Sequence, residues 1–300
     1  MKKCYFFWIL TSLLSWMTAC QSDKTDDPVV VNLTITPTDS ILLVKPNDTL
    51  RFTTNTQATW QVTGGAITIN GIYKAPTTAG IYQLWAVNAN NSLDTVFRKI
   101  IVTPQAELFK AMQQGGYILY FRHMTANTGA DTFGSFESQW WRSSDPSIAR
   151  QLSPAGQVQA QETGSAMRNL KLRVEKIFSS EFKRCLESVQ FMNLGAPVET
   201  STDLTYYVYN ENQRYLKTIQ LAERQPVSNG IIILMAHAFT TGDPGAPNLQ
   251  MGDAAVYKQL PGNKIDLRQI DYQHIKKFQR PAQIPNIISI SYWRFILIWL

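Results

Sequence analysis

Three cysteines and three histidines in 300 residues leave little material for metal or disulfide chemistry. Cys4, Cys20 and Cys185 cannot build a disulfide framework, and without a C-x-x-C or H-x-x-x-H pair the usual spacing of structural zinc is missing. No cofactor or metal is expected. Charge is sparse too: 17% of residues are charged, 28 Lys and Arg stand against 22 Asp and Glu, and the positive residues form no block. A formal charge of +6 spread this way does not make a nucleic-acid-binding stripe. Sixteen Gly and fourteen Pro are ordinary counts that exclude collagen-like chains, and 44% hydrophobic residues exclude disorder throughout. What is left is a globular protein with room for about two domains, whose chemistry rests on few residues.

Lys2 and Lys3 precede an apolar run from Tyr5 to Leu10, and Met17, Thr18, Ala19 and Cys20 close the segment. That order predicts an export signal over residues 1–19. The closing four residues resemble a bacterial lipobox, which implies that Cys20 is acylated and becomes the first mature residue. Cleavage removes Lys2 and Lys3, so the formal charge falls from +6 to +4. Two acyl chains on one cysteine suffice for stable anchoring, so a lipid bilayer is the expected partner through Cys20. Residues 20–28 read as a polar tether, and Gln21 with Asp23, Asp26 and Asp27 points to the outer membrane of a Gram-negative cell envelope. Residues 281–300 form an atypical apolar tail. The run from Ile284 to Leu300 is interrupted by Pro285 and Arg294, which favours a buried terminal strand or an atypical terminus over membrane contact.

Residues 29–103 carry short β-rich runs separated by turn residues. Leu50 and Phe52, then Trp60 and Val62, alternate with polar neighbours as half-buried antiparallel strands do. Turn signals at Lys45 to Asp48, Gly64-Gly65, Asn70-Gly71 and Asn88 to Asn91 recur at the spacing of a β-sandwich. Trp60 to Gly65, Gly71 to Pro76 and Thr78 to Tyr82 make the segment resemble bacterial immunoglobulin-like domains. The resemblance implies an all-β sandwich, a spacer or adhesion role, and Trp60 as a core anchor.

Residues 104–280 alternate strands and helices. Ala106 to Gln114 reads as a helix closed by Gly115 and Gly116, and Tyr117 to Phe121 as a buried strand. Ser153 and Pro154 open a second helix, with Gln157 expected to complete a capping box. Val174 to Phe178, Ile231 to Met235 and Ala254 to Tyr257 read as further strands, and Phe182 to Met192 as a helix. Such alternation predicts an α/β domain of three layers with a mainly parallel sheet. Arg122 and His123, Ser179 and Ser180 with Arg184, and His237 then fall just after buried strands, the edge where sites form in such sheets. Two Arg and two His converging there suit an anion: guanidinium forks bind phosphate oxygens, the helix opening near Glu181 to Arg184 adds amide donors, and a neutral imidazole attacks phosphorus.

Phe121 to Met124, Leu152 to Gln157, Phe178 to Arg184, and Met235 to His237, in that order, make this region similar to the histidine phosphatase (phosphoglycerate mutase-like) superfamily. The resemblance implies that His123 is phosphorylated during turnover, that Arg122, Arg184 and His237 hold the phosphoryl oxygens, and that water then hydrolyses the phosphohistidine. It departs from the family at Met124 and Ala236, where glycine is common, and at Ala238-Phe239, where the phytase-like branch has an acidic residue. The leaving-group acid is left between Glu211 and Asp131. Arg150 and Trp140 to Arg142 either line a substrate cap or pack an insertion, Cys185 and His274 receive no catalytic role, and the expected substrate is a phosphorylated glycan or other small molecule. A protein phosphohistidine or phosphoanhydride phosphatase, and a catalytically weak phospho-ligand or glycan binder, are the alternatives.

Overall fold

The computed structural model describes residues 32–129, 131–132, 138–209, 213–239, 245–262 and 264–266. The expected export signal, Cys20 with its tether, Glu211, His274 and the apolar tail lie outside the described residues.

Nine short strands occupy the first part of the chain: β1 (Ile35–Thr36), β2 (Ile41–Val44), β3 (Thr49–Arg51), β4 (Thr53–Thr54), β5 (Ala58–Val62), β6 (Ala66–Ile67), β7 (Ile72–Lys74), β8 (Gly80–Asn88) and β9 (Asn91–Val102). They form a four-stranded sheet ordered β2-β9-β8-β5, a three-stranded sheet β3-β7-β6, and the pair β1-β4. Strand alternation splits the larger sheet between two cores. Ile100 and Val102 join Ile35, Phe52, Tyr73 and Leu84 in one cluster, while Leu43, Ile81 and Ile101 face away from it and pack with Phe109 and Met112. Trp60 packs against this cluster, as expected, but only in part. On β5, an edge strand with a neighbour on one side only, Trp60 is half-buried, and the fully buried rings nearby are Phe52 and Tyr73.

The rest of the chain contains α1 (Ala106–Gln113), β10 (Tyr117–Arg122), α2 (Pro154–Asn169), β11 (Val174–Ser179), α3 (Lys183–Met192), β12 (Val198–Thr200), α4 (Arg214–Glu223), β13 (Ile231–Ala236), β14 (Ala254–Leu260) and β15 (Lys264–Asp266). Six strands make one sheet in the order β12-β11-β13-β10-β14-β15. The first four run parallel, whereas β14 is antiparallel to β10 and to β15. The sheet is therefore mixed but mainly parallel, as expected, with antiparallel pairing confined to β14 and its two neighbours. No helix separates β13 from β14 among the described residues, and antiparallel neighbours need no crossover helix.

Both faces of this sheet are covered. Tyr117, Leu119 and Phe121 of β10 and Ile231, Ile233 and Met235 of β13 pack with α1, α2 and α3. The intervening Ile118, Tyr120, Ile232 and Leu234 pack with Tyr215, Leu221 and Ala222 of α4. A fully buried aliphatic side chain contributes roughly 1.5–3 kcal/mol, so two such layers clamp the central strands and hold their ends in register. Gly164 lets α2 approach α3 closely, since a Cβ there would lie 1.9 Å from the Met192 carbonyl oxygen. Ser153 caps α2 as expected, its Oγ accepting from the Gly156 amide at 3.0 Å. The capping box does not form. The third helical position is Gly156 rather than Gln157, and the Ser153 amide donates instead to the Thr125 carbonyl.

Candidate active site

Because β10, β11 and β13 are parallel, the residues that follow them emerge at one edge of the sheet. The ladder continues one residue past the strands: the His123 amide donates to the Ala236 carbonyl at 2.9 Å and the Ser180 amide to the Met235 carbonyl at 2.8 Å. His123 and Ser180 thus sit on backbone as fixed as the strands themselves. The two imidazoles meet with ring centroids 5.4 Å apart, both nearly inaccessible to solvent.

Arg184 joins them. Its Nε donates to His123 Nε2 at 3.2 Å, its Nη2 to His237 Nδ1 at 3.3 Å and its Nη1 to Asp131 Oδ1 at 3.1 Å. The guanidinium lies over the Phe182 ring, 4.4 Å from its centroid, so one face is closed by an aromatic. It is placed from the first turn of α3, and Ser188, four residues on, accepts the Met124 amide and donates to the Arg184 carbonyl.

These contacts determine the tautomers. His123 Nδ1 lies 2.8 Å from the Met124 carbonyl oxygen. A carbonyl only accepts, so Nδ1 carries the proton and Nε2 presents its lone pair to the guanidinium. In His237 the order reverses: Nδ1 accepts from Arg184, so Nε2–H donates to Ser180 Oγ at 2.9 Å. Burial, reinforced by Arg184 and then Arg122 and Arg150, pushes the pKa of His123 down to about 3. Burial, with Arg184, His123 and Arg214, pushes His237 well below the ordinary histidine value. Both rings are neutral at pH 7, as a nitrogen nucleophile must be.

Of the residues expected at the site, His123, Arg184, His237 and Asp131 are in direct contact. Arg122 is close enough for its charge to act on both histidines, and its Nη1 donates to the Leu249 carbonyl at 2.8 Å. Arg150 stands behind Asp131, its amide donating to Asp131 Oδ1 at 3.1 Å and its Nε to the Asn127 carbonyl. Met124 does not intrude on the pocket, because its side chain is wholly buried in the core below. The expected amide donors at the opening of α3 are reduced, since the Glu181 amide donates to Thr205 Oγ1 and the Phe182 amide faces Ser180 Oγ. Cys185 has its thiol pushed up to about 12 by burial and remains protonated. The insertion packs rather than gapes. Trp140 meets Phe182 edge-on, Trp141 Nε1 donates to Glu181 Oε2 at 2.9 Å, and Arg142 pairs with Glu181 Oε1.

Sequence reasoning missed Arg214, buried at the start of α4 with its guanidinium 4.0 Å from the Tyr207 ring centroid and its charge acting on His237. It also assigned no task to Ser188 or to the Glu181 carboxylate. The amphipathic spacing of Tyr215, Thr218 and Ala222 was the available signal for α4. Among the described residues, no group of three or more His, Cys, Asp or Glu is arranged to hold a metal ion, and no helix is long and apolar enough to cross a membrane. The site is therefore a buried cationic cradle around two neutral imidazoles, each with a lone pair aimed at Arg184.

Among solved structures the chain is similar to a candidate phosphohistidine phosphatase, SixA, from Agrobacterium tumefaciens, at 19% identity over 52% of this chain and 95% of that one, with a TM-score of 0.36. It is also similar to the protein histidine phosphatase SixA in complex with tungstate, at 14% identity over 52% of this chain and 96% of that one, with a TM-score of 0.37. A phosphoserine phosphatase from Entamoeba histolytica, bound to 3-phosphoglyceric acid, is similar at 12% identity over 53% of this chain and 98% of that one, with a TM-score of 0.33. No family model and no curated protein sequence matches the chain.

Proposed function

We propose that this protein is a phosphatase that hydrolyses phosphomonoesters through a phosphohistidine on His123. The observation that carries the reading is the tautomer of His123: Nδ1–H is held by the Met124 carbonyl, and Nε2 faces Arg184 at 3.2 Å. A phosphoryl group entering the cradle takes the guanidinium hydrogen bonds onto its own oxygens and brings phosphorus to Nε2. The nitrogen lone pair forms the N–P bond while the ester P–O bond breaks. Water then attacks phosphorus, the N–P bond breaks, and inorganic phosphate leaves with His123 restored. Arg122, Arg184 and Arg214 offset the charge on the phosphoryl oxygens in a site from which water is largely excluded. His237 Nε2–H is held by Ser180, so Nδ1 is the nitrogen of that ring that faces Arg184.

The alkoxide leaving group needs a proton. Asp131, in contact with Arg184, is the carboxyl group that the described site offers, and Glu211 is the second candidate. Asp131→Asn and Glu211→Gln, made singly, separate them: loss of the acid slows an alkyl phosphate far more than nitrophenyl phosphate, whose leaving group needs little protonation. The substrate class we propose is a phosphorylated glycan or small metabolite of the cell envelope, reached by an enzyme anchored through acylated Cys20 to the outer membrane. A Cys20→Ala chain that still partitions with membranes would overturn the anchor.

The test of the central reading is phosphate release from nitrophenyl phosphate by the wild type and by His123→Ala, with acid- and base-quenched labelling of the protein. The expected result is an acid-labile, base-stable phosphoenzyme in the wild type and a loss of more than about a thousandfold in rate in the variant. Equal rates in the two proteins would overturn it.

A further inference from the structure

A second concavity, unconnected with the phosphate cradle, lies at the edge of the β-rich segment. It is a groove of about 700 Å³ lined by Phe52, Thr53, Thr54, Gln57, Ala58 and Thr59, with Trp60 and the Ile67 to Asn70 turn on its other side. Its chemistry is the opposite of the active site. None of its lining residues is charged, although the chain carries +6.

Three features point to what it takes. Trp60, half-buried against Phe52 with ring centroids 6.0 Å apart, leaves part of its indole at the groove surface. Thr53, Gln57, Thr59 and Asn70 are exposed, and their side chains make no hydrogen bond among the described residues. Ile69, beside them, is 87% exposed and lines the groove. An aromatic platform, neutral hydroxyl and amide groups without internal partners, and an apolar flank together match one ligand chemistry. The C–H face of a sugar ring carries slight positive charge and packs on an indole face, while its rim of hydroxyls exchanges hydrogen bonds with amides and hydroxyls. The absence of Lys and Arg disfavours an anionic ligand, and the open, hydroxyl-rich lining disfavours an apolar peptide.

We propose that the Trp60 groove is a binding site for a neutral glycan chain, independent of the phosphatase reading. The experiment is calorimetric titration of the full-length protein in detergent with maltoheptaose, cellohexaose and chitohexaose, with heparin as the anionic control. One neutral oligosaccharide is expected to bind with a dissociation constant below about 1 mM. Trp60→Ala is expected to weaken it at least about tenfold. Because that substitution also removes a partner of Phe52, Ile69→Glu and Thr59→Lys at exposed positions are made alongside, and each is expected to weaken binding by about the same factor. A single cooperative urea unfolding transition serves as the folding control and is retained in all three. The proposal is overturned by the absence of binding to all three neutral glycans, by preference for heparin, or by binding that Ile69→Glu and Thr59→Lys leave unchanged.

Discussion

The phosphate cradle and the Trp60 groove solve recognition in opposite ways. In the cradle the groups around the nucleophile are largely committed to one another, with Arg184 on two imidazoles and a carboxylate, His237 on Ser180 and His123 on the Met124 carbonyl, while the buried Arg122 Nε has no partner among the described residues. In the groove Thr53, Gln57, Thr59 and Asn70 are exposed and make no side-chain hydrogen bond among the described residues, while Thr54 and Thr68 bond only to nearby backbone. Burying charge costs stability unless it is paired, so the charged site has to be assembled in the fold before ligand arrives. A neutral site has no such requirement. The difference teaches that substitutions in the cradle should disturb folding and function together, while substitutions in the groove should disturb binding alone.

The largest expected break of that contrast is at Arg184. Its three donor nitrogens touch three different groups, a geometry that an ammonium on a flexible stem cannot copy. Arg184→Ala and Arg184→Lys should each lower kcat/KM for nitrophenyl phosphate by about a hundredfold to a thousandfold. Steady-state kinetics that find the lysine variant within tenfold of wild type would mean that charge, not the fork, is what the site uses.

Next comes a stability effect with a defined pH window. The pKa of His123 is about 3 in the folded protein against an ordinary value of 6.5. Above pH 6.5 the ring is neutral in both states and contributes no pH dependence. As pH falls from 6.5 toward 3, the unfolded chain takes up a proton that the folded chain does not. Stability therefore declines by about 1.4 kcal/mol per pH unit for this one group. Urea unfolding of His123→Asn between pH 6 and pH 4 should show a slope shallower than wild type by that amount. Parallel slopes would show that the imidazole is not held neutral by its surroundings.

Ser180 tests the cradle at smaller scale. Ser180→Ala leaves His237 Nε2–H without its 2.9 Å partner in a buried pocket. An unsatisfied buried donor costs about 1–3 kcal/mol, to be read as a lowered urea midpoint at pH 7. An unchanged midpoint would indicate that another group, such as Cys185 Sγ at 3.7 Å from the same nitrogen, takes the hydrogen bond.

What the sequence made legible follows the same contrast. His123 and His237 were readable because each follows an apolar strand run, and a polar residue at the end of such a run must emerge at the sheet edge, whereas Arg184 lies in the first turn of α3 and was readable through the Phe178 to Arg184 resemblance. The strand Ile231 to Ala236 was readable as apolar, but not as two-faced. Both its faces are buried, so alternation leaves no polar residue to mark the side facing α4. The direction of β14 was hidden for a similar reason, since its residues Ala254 to Tyr257 are buried whichever way the strand runs. Arg214 was missed because a cation opening an amphipathic helix reads as solvated until its burial under Tyr207 is seen. Trp60 was legible only in part, since it packs on the core from an edge strand. Its period-two pattern with Val62 correctly predicted a strand, but alternation does not distinguish an edge strand from a central one, and only the sheet order puts β5 at the rim.

The smallest effect is the one that sharpens the contrast most. Ile69→Glu replaces a side chain that is 87% exposed and lies on the turn between β6 and β7. A surface substitution of that kind stays within about 0.5 kcal/mol of wild type in stability, and nothing connects it to the histidines. Its urea midpoint and nitrophenyl phosphate turnover should both match wild type. That outcome leaves the side chain of Ile69 with no part in fold or catalysis, as the groove reading requires. If the substitution instead lowers the midpoint by more than about 1 kcal/mol, the exposed isoleucine belongs to the packing of the β-rich segment, and the groove loses the flank on which its apolar contact with a sugar depends.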